Sequence, residues 1–107
     1  MRILRYAKEN GTIPFSDWLS GMRDKVAQAS IRFRLRQLEK GGFGDAKPVG
    51  RGVVELRIHV GAGYRVYCAR RGEDVVILLC GGGKQTQMSD ISIAKPIGPI
   101  GSGGSSE

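Results

Sequence analysis

Glu55, Arg57, His59, Arg65 and Tyr67, with Lys84 a short way downstream, are residue types that suit a phosphate site. Arginine stays charged at any working pH and presents a planar fork to phosphate oxygens, so Arg57 and Arg65 suit charge stabilisation better than proton transfer. Lys84 offers a point charge, or a proton where neighbouring cations lower its pKa. Glu55 and His59 are the groups able to change protonation during a reaction. Tyr67 suits stacking on a base or positioning of a phosphate. Each also has a plainer reading: an antiparallel sheet commonly leaves one face polar, arginines pair with a nearby glutamate, and a strand tyrosine packs.

Strand alternation would bring these residues together. Along Val53–Val60, Val54, Leu56, Ile58 and Val60 point one way, and Val53, Glu55, Arg57 and His59 point the other. Strands are expected at Val53–Val60, Gly63–Arg70 and Asp74–Cys80, joined by Gly61-Ala62-Gly63 and Arg71-Gly72-Glu73 as an antiparallel meander. A three-residue loop sets Val60 opposite Tyr64, hence Arg57 opposite Tyr67 and His59 opposite Arg65. A two-residue loop would break this parity. Gly81-Gly82-Gly83 then lets the chain turn beside the site and deliver Lys84. It is not a phosphate-binding P-loop, because the required earlier glycine position holds Leu78 and Gln85 follows the lysine.

The remaining elements must supply the layer on which this sheet packs. Arg2 to Tyr6 reads as an opening strand, and Pro14 fits the first turn of a helix carrying Trp18 and Leu19. Asp24 can cap a second helix, whose stripe Ala27, Ile31, Leu35 and Leu38 asks for a sheet to cover it. A weaker stripe, Val26, Ala29 and Phe33, suggests cover on a second side, with Arg32 and Arg36 left exposed. Gly41-Gly42-Phe43-Gly44 ends this helix and a loop runs through Pro48 to Gly52. A short helix from Thr86 to Lys95 follows the meander until Pro96 stops it. The fold class is therefore α+β: a small antiparallel or mixed sheet, two N-terminal helices on one face with the Arg57 face left open, and a short C-terminal helix. Residues 1–95 form one domain and 96–107 a disordered Gly/Ser-rich tail.

Composition agrees with a polyanionic partner. The chain has 107 residues, 17 basic against 10 acidic, for a formal charge of +7, which favours RNA, DNA, an acidic protein or an anionic surface without choosing among them. Charges at Arg2 and Arg5 interrupt what a signal peptide would need to be apolar, and no stretch approaches a membrane span, so a cytoplasmic location is expected. Cys68 and Cys80 match neither a zinc site nor a secreted disulfide framework and read as reduced core thiols.

The motifs Glu55-Leu56-Arg57-Ile58-His59, Gly63-Tyr64-Arg65-Val66-Tyr67 and Gly82-Gly83-Lys84-Gln85-Thr86-Gln87, followed by Asp90-Ile91 and Ala94, resemble the RelE/ParE superfamily in its HigB-like branch of phage-related addiction-module killer proteins. The resemblance runs over about residues 2 to 95. It implies the toxin of a type II toxin–antitoxin system, acting as an mRNA endoribonuclease that inhibits translation, without metal or other cofactor and often on the ribosome. By the same resemblance Arg57, Arg65, Lys84 and Glu55 are the catalytic candidates, and His59, Tyr67 and Gln87 bind RNA. The implied partners are mRNA, the ribosome and a cognate antitoxin, commonly a helix-turn-helix DNA-binding protein. Asp90 reads as a helix N-terminal charge rather than a catalytic group. Relatives often continue the last helix with aromatic and acidic residues where this chain has Pro96. Two other readings share the fold: a ParE-like toxin acting on DNA gyrase, and a basic nucleic-acid-binding module without activity.

Overall fold

Five strands form one mixed sheet in the order β1-β5-β4-β3-β2: β1 (Arg2–Arg5), β2 (Ala46–Gly50), β3 (Val53–Ile58), β4 (Tyr64–Arg71) and β5 (Val75–Gly83). The computed structural model describes the backbone of residues 1–104 and the side chains of residues 1–97. Strands β2 to β5 pair antiparallel, while β1 runs parallel to β5. The α+β class and mixed sheet match the sequence reading. Strand β2 does not: Ala46–Gly50 was expected to be loop. Pro48 and two flanking glycines conceal it, but β2 is an edge strand, where a residue without an N–H is tolerated, and its register shifts between Pro48 and Gly50.

Helices α1 (Pro14–Ser20) and α2 (Lys25–Glu39) lie on one sheet face. Their Phe15, Leu19, Ala27, Ile31 and Leu38 pack against Leu56, Ile58, Val66, Cys68, Val76 and Leu78. Asp24 accepts the Ala27 amide at 3.0 Å, which caps α2 and fixes where its stripe begins. The second stripe of α2 is not covered. Val26 is 68% and Phe33 54% exposed, because the chain supplies a single layer for this helix and the sheet takes the other side.

The opposite face is only partly open, which corrects the sequence reading. Helix α3 extends over Gln87–Gly104 and lays Ala94, with Ile91 and Ile97, on Val53, Tyr67, Ala69, Ile77, Leu79 and Cys80. The helix also passes through Pro96, expected to end it. The proline's fixed φ suits a helix, and the bond it removes belongs to the carbonyl of Ser92, an exposed residue where water is at hand. Residues 96–104 are thus helical rather than loose tail, while 105–107 and the side chains of 98–104 lie outside the described residues. Among the described residues no helix is long and apolar enough to cross a membrane.

Two register details deliver the site. Strand β3 ends at Ile58, which faces Tyr64, so Arg57 lies opposite Arg65 and Glu55 opposite Tyr67. The hairpin loop is therefore longer than the three residues expected, with Gly61 and Gly63 at positive φ and the Gly63 amide bonded to Val60 O at 2.9 Å. The slip equals two residues, so the face assignment of Glu55, Arg57, Arg65 and Tyr67 survives. In β5, Tyr67 pairs with Cys80 but Cys68 with Leu78, which leaves Leu79 as an extra residue. Leu79 and Cys80 both reach the α3 side. Beyond this bulge Gly81 meets the Trp18 ring of α1 and Gly82 the Asp90 carboxylate of α3. The glycine run is strand, not loop, and its lack of side chains lets both helices approach. Cys68 and Cys80 are buried free thiols, both pushed up to about 12 by burial.

A Cβ at position 81 would collide with the Trp18 ring. We expect Gly81→Ala to lose on the order of 1–3 kcal/mol in urea unfolding, as overpacked sites do, and to red-shift the emission of Trp18, the single tryptophan. An unchanged midpoint and spectrum would contradict this seating of α1.

Candidate functional site

Glu55 is completely buried at the middle of β3, and four side chains converge on it. Arg57 Nε donates to Oε1 at 3.2 Å, and Tyr67 Oη and Gln87 Nε2 donate to Oε2 at 3.2 and 2.9 Å. Arg65 Nε stands 3.6 Å from Oε2 as an ion pair; this nitrogen is itself buried and makes no hydrogen bond. Burial alone would push the Glu55 carboxyl up. The bonds from Gln87, Arg57 and Tyr67, with the charge of Arg65, outweigh that and hold it below the usual carboxylate range.

The geometry gives Glu55 a different part from the proton carrier expected of it. An ionised, buried carboxylate whose oxygens are engaged by donors is a poor base, but it is well placed to orient cations. Tyr67 is likewise withdrawn from solvent, and burial followed by the adjacent Glu55 charge raises its pKa. It therefore offers no ring to an RNA base. Gln87, at the start of α3, is turned to Glu55 and ties that helix to the sheet. These three expected site residues form the floor beneath the site rather than its surface.

Above that floor, Arg57, Arg65 and Lys84 line one concavity of about 180 Å³ with His59, Gly63 and Tyr64. The arginines arrive from paired positions on β3 and β4. Lys84 arrives from the 3₁₀ turn Lys84–Thr86 that follows β5. Arg65 is mostly enclosed and Arg57 about one-third exposed, so both are held rather than waving in solvent. Three cations around one small cavity can receive a phosphate or another oxyanion.

His59 lines this concavity but sits one residue past the end of β3, so it does not pair with Arg65 as expected. Its Nε2 lies 2.5 Å from Asp45 Oδ2. That bond holds the Asp45 carboxyl below its ordinary value. A carboxylate only accepts, so the proton of neutral His59 sits on Nε2 and Nδ1 is left for exchange.

Sequence reasoning missed Asp45 and Arg34. Arg34, on α2, donates to the carbonyls of Phe43 at 2.7 Å and Asp45 at 2.9 Å, and also to that of Arg57. One guanidinium thereby ties the segment carrying Asp45 to the strand carrying Arg57. Gly44, at φ +63°, lies directly against that guanidinium, with no room for a side chain. The available signal was a charged residue between Phe33 and Leu35, each of which belongs to an apolar stripe of the helix. Among the described residues no cluster of three or more His, Cys, Asp or Glu could hold a metal ion.

A family model described as Phage derived protein Gp49-like matches residues 17–95, which include every residue of the concavity. A Haemophilus influenzae protein, named only as uncharacterized, is 49% identical over 84 residues, covering 78% of this chain and 85% of that one. No solved structure matches the chain.

Removing Glu55 would leave its arginines without their counter-charge. We expect Glu55→Ala to cost about 3–5 kcal/mol, the range for breaking one side of a buried ion pair, with Glu55→Gln less damaging. Because folding lowers the Glu55 pKa, its contribution is fully present above the ordinary carboxylate range and fades as pH falls through the folded value. In urea titrations the advantage of wild type over Glu55→Gln should stay constant from pH 8 to about 5 and shrink in stronger acid. An advantage already lost near neutral pH would contradict the arrangement.

Proposed function

The chain belongs to the Gp49-like phage-derived family, which is associated with addiction-module toxins, and on that premise we propose that it is the toxin of a type II toxin–antitoxin pair, cleaving mRNA in the manner of the HigB-like branch of the RelE/ParE superfamily. The observation that carries the reading is the convergence of Arg57, Arg65 and Lys84 on one concavity, with the Asp45–His59 pair at its edge. A gyrase poison or a passive basic module needs no such grouping of three cations beside a proton carrier.

In the proposed reaction the ribose 2′-oxygen attacks the adjacent phosphorus and the bond to the 5′-oxygen breaks, giving a 2′,3′-cyclic phosphate and a 5′-hydroxyl. His59 Nδ1 receives the 2′-hydroxyl proton, with Asp45 stabilising the imidazolium that forms. Arg57 and Arg65 hold the non-bridging oxygens, whose charge grows in the transition state. Lys84 neutralises the departing 5′-oxygen and can supply its proton. Glu55 keeps the two arginines aimed and takes no proton. All of this is acid–base and electrostatic work by side chains.

The proposal extends to a cytoplasmic protein acting on ribosome-bound message and restrained by a cognate antitoxin. An excess of basic residues gives an acidic antitoxin segment a means of rapid capture.

Arg65→Ala and Lys84→Ala are compared with Arg2→Ala, an exposed change at the far end of β5 from Lys84. Transition-state stabilisation by Arg65 and Lys84 means that each loss lowers single-turnover cleavage of message on programmed ribosomes by on the order of 100-fold or more. Arg2→Ala should remain near wild type, with circular dichroism confirming that all three fold. A passive module would instead show three similar, small losses of RNA affinity, with the salt slope falling by roughly 0.7 per contact.

A further inference from the structure

A second cavity of about 500 Å³ opens beside the cationic one, lined by Ala62, Gly63, Tyr64, Gly83, Lys84, Gln85 and Thr86. Gly63, Tyr64 and Lys84 line both cavities, so the two adjoin. A ligand occupying both would place its anion among Arg57, Arg65 and Lys84 and an attached group in the larger space.

The walls specify that group. Lys84 is the sole cation of the lining and stands on the boundary, so the space does not suit a second phosphate. The half-buried Tyr64 is the one aromatic residue of its lining, and Gly63 and Gly83 add lining without side chains. Tyr64 is held in place from two directions: its hydroxyl donates to Asp24 Oδ2 at 3.4 Å, and its ring lies tilted at 58° to Trp18, with centroids 6.4 Å apart. An aromatic ring fixed beforehand is a stacking platform whose ordering cost has been met on folding. Gln85, exposed at the rim, offers an amide donor and acceptor to the edge of a planar ligand.

Gly63 lies where the two cavities adjoin. It adopts φ +86°, and a Cβ there would come within 3.0 Å of Lys84 Cε. A side chain at this position would be strained by the backbone and would press on the lysine stem where the two cavities adjoin.

We infer that this second cavity is a nucleobase subsite in which Tyr64 stacks on the base of a nucleotide whose phosphate lies in the cationic concavity. The inference rests on the ribonuclease reading for its substrate, and it adds a residue that sets substrate positioning and base preference. Tyr64 joins Lys84 as the link between the two halves of the site.

The test uses the full chain and two defined probes, adenosine 5′-monophosphate and ribose 5-phosphate, titrated by calorimetry at low salt. Stacking predicts that the nucleotide binds at least roughly tenfold more tightly than the sugar phosphate, from the usual worth of a base–aromatic stack. Tyr64→Leu should collapse that ratio towards one. Tyr64→Phe, which keeps the ring and loses the bond to Asp24, should preserve most of it. Equal binding of the two probes by wild type, no binding of either, or an undiminished ratio in Tyr64→Leu would overturn the subsite. Cleavage of message by the same preparations separates the two ideas. Arg65-dependent cleavage without base preference would remove the subsite and leave the nuclease. Base preference in a protein that does not cleave RNA would keep the subsite and remove the nuclease.

Discussion

A buried carboxylate holds this site together. Glu55 lies under the sheet surface with Arg57, Arg65, Tyr67 and Gln87 gathered around it, and each partner comes from a different position in the chain. Cations brought close together repel one another, and arginine side chains are long and entropically costly to fix. A negative charge beneath them offsets both costs. It also lets β3, β4 and α3 meet at one point, because Gln87 anchors the helix to the same oxygen that Tyr67 reaches from the sheet.

The remainder of the fold serves that meeting. The bulge at Leu79 lets β5 present two consecutive side chains to α3, after which Gly81 admits Trp18 and Gly82 admits Asp90. Lys84 then leaves the strand end where the β3–β4 hairpin turns, against Gly63. Arg34 does the corresponding work on the other edge, where it ties the Phe43–Asp45 segment to the end of β3. Glycine and arginine, residues usually read as flexible loop and solvated surface, here permit close approach and tie segments together.

This explains which features could be seen in the sequence. Alternation along β3 assigned Glu55, Arg57, Leu56 and Ile58 to their faces correctly, since side-chain period depends only on local geometry. The register of the hairpin could not be read, because Gly61 and Gly63 permit several loop lengths, yet an even slip left the face intact. Depth was hidden altogether: nothing in Glu55 or Tyr67 marks them as floor rather than surface until α3 is laid over them. The proline at position 96, and Pro48 and Gly50 in β2, concealed regular structure, because each element keeps its unpaired groups at an edge or towards solvent. The Asp45–His59 pair joins residues fourteen apart in sequence through a loop closed by Arg34, a contact that periodicity does not encode.

Whether Glu55 orients cations or carries a proton can be read from its own ionisation. The side-chain carboxyl carbon of Glu55, identified by its absence in Glu55→Gln, is followed by carbon-13 NMR as a function of pH in the intact protein. The structure requires it to remain ionised throughout the working range and to titrate below the ordinary glutamate value, with the chemical shift of the Tyr67 ring unchanged until that acid transition. A Glu55 carboxyl that takes up its proton near neutral pH would contradict the account, returning the role of base to Glu55 and leaving Arg57 and Arg65 without the charge that arranges them.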